Sequence, residues 1–131
     1  METPQSIAQQ ALPGFLESVR VADRTLLDVA RPHRLRPMEA YLLLILLDED
    51  DAVSTAHVAA RIAASSSQAK QLALALQVRG LITRRDRTGL TSLTPEGRQE
   101  ASTLAHEVVA ALQDRLSGLE SSARWQQVTS S

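Results

Sequence analysis

The sequence predicts a mainly α-helical fold carrying one small β-hairpin. Three observations support this. Apolar residues recur at spacings of three and four through most of the 131 residues, as on one face of a helix. Between residues 81 and 94 the text breaks into two short runs with Gly89 between them, the pattern of a hairpin. Pro or Ser/Thr stands where several of the helical stretches should begin.

Taken in order, Leu12, Phe15, Leu16, Val19, Ala22, Leu26, Leu27 and Ala30 form one apolar face of a first helix that runs to Arg31, before Pro32. Pro13 and Gly14 mark its start or a kink near it. Pro37 opens a second helix, whose run Tyr41–Leu47 is Leu-rich with one β-branched residue, and so reads as a helix buried on most sides rather than a strand. Asp48, Glu49, Asp50 and Asp51 end it in a solvated turn. Ser54 and Thr55 can cap a short third helix ending near Ile62 or Ala63. Ser65, Ser66 and Ser67 can cap a fourth, with core residues Ala69, Leu72, Ala73 and Leu76 and with Gly80 to close it. Leu81–Arg85 and Leu90–Thr94 read as strands. Pro95 opens a last long helix with apolar residues at 101, 104, 105, 108, 111, 112, 116 and 119, and Gly118 weakens its end. Trp125 falls in a tail with room for one short turn.

Composition removes whole classes of function. Hydrophobic residues at 44% exclude a disordered chain. The absence of Cys excludes disulfides, Cys-ligated metals and thiol switches. The longest apolar run is far short of the roughly 20 residues a bilayer crossing needs. Residues 1–15 lack the basic start and apolar core of a signal peptide, so the expected location is cytoplasmic, with no membrane partner. His33, His57 and His106 are scattered, which argues against a metal site. There is no Gly-x-Ser-x-Gly elbow and no phosphate-cradling Gly loop, so neither catalytic residues nor a cofactor are expected.

Three compact helices followed by a hairpin is the order of a winged helix-turn-helix. Here it spans residues 37–94 of a single domain (1–131), with long helices at 5–31 and 95–120. The apolar stripe of the last helix covers about five turns, and a stripe that long usually needs a partner, often a second copy. The dimerisation surface is therefore assigned to Phe15, Leu16, Val19, Leu104, Val108, Leu112 and Leu116.

At this level of detail the chain resembles the MarR family of bacterial transcription regulators over about residues 13–119. The resemblance lies in VAARIAASSSQAKQLALALQVRGLI (58–82) and in LTPEG (93–97). It implies a homodimer that binds a palindromic operator in double-stranded DNA, usually as a repressor, and that is often released by a small-molecule effector. The chain departs from the family pattern in three places. Only Asp86, Arg87, Thr88 and Gly89 separate the strands, where the family has a longer loop. Leu74 and Ala75 replace polar residues on the recognition helix. The segment after Leu119 is short for an extra helix.

The net charge of −1 hides an asymmetry. Residues 61–98 hold seven bases (Arg61, Lys70, Arg79, Arg84, Arg85, Arg87, Arg98) against two acids, a segment of +5 that leaves −6 for the rest. Phosphate neutralisation needs such a local patch, not a basic total. Arg84, Arg85 and Arg87 in the hairpin are candidates for a minor groove, against the alternative of a solvated, charge-protected edge. Ser66, Ser67, Gln68, Lys70 and Gln71 begin the fourth helix, the end that enters a major groove, against the alternative of a plain polar face. Ser54 and Thr55 can hold a phosphate or simply cap. Tyr41 is a candidate for an effector pocket or for the core. The competing function is a protein-interaction module that has lost DNA binding, to which Leu74, Ala75 and Leu90 would lend apolar surface.

Overall fold

A computed structural model describes the backbone of residues 4–85 and 87–129 and the side chains of residues 6–85 and 87–118. The elements are α1 (Pro4–Ala30), a 3-10 turn (Arg31–His33), α2 (Pro37–Asp48), α3 (Thr55–Arg61), α4 (Ser66–Val78), β1 (Ile82–Arg84), β2 (Thr91–Leu93) and α5 (Pro95–Thr129). The fold is mainly α with a two-stranded antiparallel hairpin, and the order is that of a winged helix between two long helices.

Helix α2 is the centre. Ala40, Leu42, Leu43, Ile45 and Leu46 are buried around most of its circumference, which is why its sequence lacks a polar face. It packs on α1, α4 and α5, and the core closes with Leu76, Ile82, Ala101 and Leu104. Pro37 sits at the first helical position, and Glu39 Oε1 accepts the Arg36 backbone N–H at 2.8 Å.

The α3–α4 corner is built from local chemistry. Ser54 Oγ accepts from His57 N–H, and Ser65 Oγ accepts from Gln68 N–H, each at 3.1 Å. Ala63 takes a left-handed φ of 53°, and Ala64 N–H reaches back to Ala59 O, turning the chain between the two helices. Ser65→Ala removes the cap acceptor, so urea unfolding should show a loss of about 1 kcal/mol. A loss near zero would mean that α3–α4 packing alone holds this corner.

The hairpin pairs Ile82 with Leu93, Thr83 with Ser92 and Arg84 with Thr91. Val53 also bridges Thr91 through two backbone bonds of 3.0 and 2.7 Å, giving β2 a second neighbour that no sequence signal indicated. Arg85 N–H bonds Leu90 O, so four residues make the tip, with Gly89 at a φ of 66°.

Several boundaries differ from the sequence reading. Pro13 neither starts nor ends α1, which runs through it from Pro4. In a helix otherwise complete, the proline forfeits one backbone bond and the rest of the ladder continues. Both strands lose a residue at each end, and α3 ends at Arg61. Helix α5 does not stop near Gly118; its backbone continues to Thr129 as one helix, without a separate terminal turn. Trp125's side chain and Asp86 lie outside the described residues. The acidic residues are not merely a solvated turn, because Asp48 and Glu49 both hold Arg61, at 3.0 and 3.2 Å.

The apolar face of α1 divides in two. From Val21 onward it packs on α2 and α5, and Arg115 of α5 binds Thr25 Oγ1 at 2.7 Å and Asp28 at 3.0 Å. Before that, Ile7, Leu12, Phe15, Leu16 and Val19 are all exposed. No helix among the described residues is long and apolar enough to cross a membrane.

Candidate nucleic-acid interface

Helix α4 presents its first turns to solvent. Ser66, Ser67, Gln68, Lys70 and Gln71 are all exposed, while Ala69, Ala73 and Leu76 point into the core. Alternation at helical spacing places these two sets on opposite faces. Gln68 is already partly committed, since its Oε1 accepts the Ser65 N–H at 3.1 Å. Among the described residues its remaining amide donors and all of Gln71 meet no partner and are available to a ligand.

The hairpin arginines separate into two kinds. Arg84 is half-buried and turns back onto α3, its Nη2 donating to Thr55 Oγ1 at 3.3 Å. Among the described residues its buried Nε meets no acceptor. Thr55 in turn lies 3.5 Å from Gly89 O. Arg84 and Thr55 thus hold the base of the hairpin against the start of α3. Arg85 and Arg87 are exposed at the tip and, like Lys70, have no ion-pair partner among the described residues. Ser54 is committed as the α3 cap.

One base of the +5 segment is neutralised internally and a second is tied to the backbone. Arg61 is paired with Asp48 and Glu49, which hold its guanidinium firmly charged. Glu49 titrates below the usual carboxylate range because His57 Nε2 bonds it at 2.6 Å, with Arg61 adding to the effect. Arg79 donates to His33 O and Arg34 O, each at 3.0 Å. Among the described residues, the bases of the segment that neither pair with an acid nor bond the fold through their side chains are Lys70, Arg85, Arg87 and Arg98.

Sequence reasoning missed Arg36. It lines a groove of about 370 Å³ together with Met38, Ile62, Gln68, Gln71 and Leu72. That groove joins the start of α2 to the polar face of α4, and Arg36 has no ion-pair partner among the described residues. The signal was present as an unpaired base just before Pro37, outside the segment where charge was counted.

The proposed dimer residues are not equivalent. Phe15 is 63% and Leu16 55% exposed, and Val19 and Leu116 are also exposed. Val108 and Leu112 are half-buried. Leu104 has no exposed surface and lies in the chain's own core, so its side chain has nothing left to give a partner. Helical spacing alone could not separate it from Val108, one turn on. Tyr41 is 39% exposed, so the core does not enclose it. Among the described residues no cluster of His, Asp or Glu could hold a metal.

No protein-family model matches the sequence, and no curated protein matches it. Solved structures do. The p-coumaroyl-CoA-bound CouR of Rhodococcus jostii is 26% identical, with 88% of this chain and 86% of that one covered at a TM-score of 0.71. A MarR family transcriptional regulator from Silicibacter pomeroyi is 27% identical, covering 90% and 88% at 0.69. AbsC, a MarR family transcriptional regulator from Streptomyces coelicolor, shares the fold at 20% identity, 98% and 91% coverage and a TM-score of 0.72.

Proposed function

From the premise that this chain has the winged-helix fold of the MarR family transcriptional regulators, we propose that it is a homodimeric, sequence-specific DNA-binding regulator and not an enzyme. In this reading α4 enters the major groove, with Gln68 and Gln71 reading base edges and Ser66, Ser67 and Lys70 fixing its register. Arg85 and Arg87 approach the flanking minor groove and its phosphates. Arg84 and Thr55 orient the hairpin rather than touch DNA themselves. The observation that carries the reading is the exposure of Lys70, Arg85 and Arg87 without ion-pair partners among the described residues, while Arg61 is paired with Asp48 and Glu49 and Arg79 is tied to backbone carbonyls. The site is a palindrome read by two copies, the regulation is repression, and a small molecule bound by the protein relieves it.

The test is binding to the DNA beside the protein's own gene, measured across a salt series. Arg85→Ala and Arg87→Ala should each weaken binding to all sequences. Each lowers the salt slope by about 1.8 in a dimer, since each phosphate contact contributes about 0.9 per protomer. Gln71→Ala should instead change which base is preferred. Absence of salt-sensitive binding at low ionic strength defeats the reading. It would favour the second one, a protein-interaction module, for which Leu74 and the 88%-exposed Val78 supply apolar surface on α4.

A further inference from the structure

The 3-10 turn Arg31–His33 sits between the last helix and the recognition helix, and both hold it through polar contacts. From α5, Glu100 Oε1 lies 2.6 Å from His33 Nδ1 and Glu107 Oε2 lies 3.0 Å from His33 Nε2. From the end of α4, the Arg79 guanidinium caps the turn by donating to His33 O and Arg34 O. The His33 side chain is only 14% exposed. The other charged groups at this corner are Arg31 of the turn and Arg34 and Arg36 beyond it. Asp28, at the end of α1, is taken by Arg24 and Arg115.

The two carboxylates make the proton count decisive. A neutral imidazole has one N–H and one lone pair. It can donate to Glu100 or to Glu107, and its other nitrogen then faces carboxylate lone pairs. Only the imidazolium donates to both. Losing the proton therefore breaks one of the two ties to α5 and places two carboxylates near a ring that cannot satisfy them.

We infer that His33 is a proton-operated latch that fixes the recognition helix relative to α5, closed when the imidazole is charged and loosened when it is neutral. The chain of contact runs from Glu100 and Glu107 through His33, across its carbonyl to Arg79, and so to α4. The bonds to Glu107 and then Glu100 hold the His33 pKa above the ordinary 6.5, against the opposing effect of burial. A histidine with a raised folded pKa contributes stability that is fully present below its unfolded value near 6.5. That contribution fades as pH rises through the folded value. For DNA binding, which rests on the function proposed above, the latch makes the reading geometry better defined in acid than in mild alkali.

The experiment uses the full chain, by NMR between about pH 5.5 and 8.5. In the native chain the His33 ring should titrate above 6.5, and the backbone amides of Arg79 and Gly80 should shift with the same midpoint. His33→Gln should abolish that amide titration. Glu107→Gln, a change at a half-exposed side chain that leaves the core untouched, should move the midpoint to lower pH. Affinity for the DNA beside the gene should fall by about fivefold or more across the range, the lower end of ordinary coupling between sites. In His33→Gln it should stay flat. A ring that titrates at or below 6.5, or Arg79 and Gly80 amides that ignore it, overturns the latch. DNA affinity in the native chain that is independent of pH overturns it as a control on reading. Amides that titrate as expected in a chain that binds no DNA at any pH keep the latch and defeat the DNA-binding function instead.

Discussion

Gly97→Ala should unfold this protein at temperatures the parent chain withstands. A Cβ on Gly97 would lie 1.7 Å from the Leu81 carbonyl oxygen and 2.7 Å from its carbon. Both are backbone atoms, so no rotamer change relieves the overlap. The same Leu81 oxygen accepts the Thr94 N–H at 3.1 Å, and Thr94 Oγ1 donates to Gly80 O at 2.7 Å while accepting the Gly97 N–H at 2.9 Å. Moving α5 away would break the joint that docks its first turn on the entry to β1. A cost of about 3 kcal/mol or more is expected, at the upper end for overpacking. Calorimetry should show the melting temperature falling by roughly 10 °C or more. Gly118→Ala is the control. Nothing lies within 4 Å of its added Cβ, and inside a helix alanine should raise stability by about 0.5–1 kcal/mol. Equal effects of the two substitutions would refute the close approach at Gly97.

The second large effect concerns assembly. Ile7, Leu12, Phe15, Leu16 and Val19 form an exposed stripe on the first half of α1, and α5 adds exposed Val109 and Leu116. A helix whose apolar face meets only water has little to hold it. In the proposed dimer that stripe is covered by the second copy. Phe15→Asp puts a charge at its centre and should yield a folded monomer by sedimentation. A monomer engages one half-site, so operator affinity should fall on the order of 10²–10⁴-fold, the usual gain from linking two binding units. A Phe15→Asp chain that stays dimeric, or a monomer with full affinity, would remove α1 from the interface.

Much of the fold was legible because its causes are local. Pro37 and Pro95 start α2 and α5, Ser54 and Ser65 cap α3 and α4, and Gly80 and Gly89 take left-handed turns. The face of α4 was legible for the same reason: Ala69, Ala73 and Leu76 leave only one side for Lys70 and Gln71. The ends of α1 and α5 were less legible. Pro13 read as the start of the helix or a kink near it because proline disfavours helix interiors, and it is not the start, since one lost bond does not end a helix of 27 residues. Gly118 looked like an end for a similar reason, yet α5 runs past it.

The sequence by itself determined the element order, the polar face of α4 and the concentration of positive charge near it, because each follows from neighbours within a few positions. Tertiary structure alone decided which groups are free. It joined His33 to Glu100 and Glu107, 67 and 74 positions away, and Arg115 to Thr25, 90 positions away. It spent Arg61, Arg79 and Leu104 inside the chain, left Arg85, Arg87 and Phe15 outside, and set Leu81 against Gly97. The physical reason is that a side chain's period and type fix which face of its own helix or strand it occupies. What stands opposite that face depends on how distant segments pack, and no local preference encodes it.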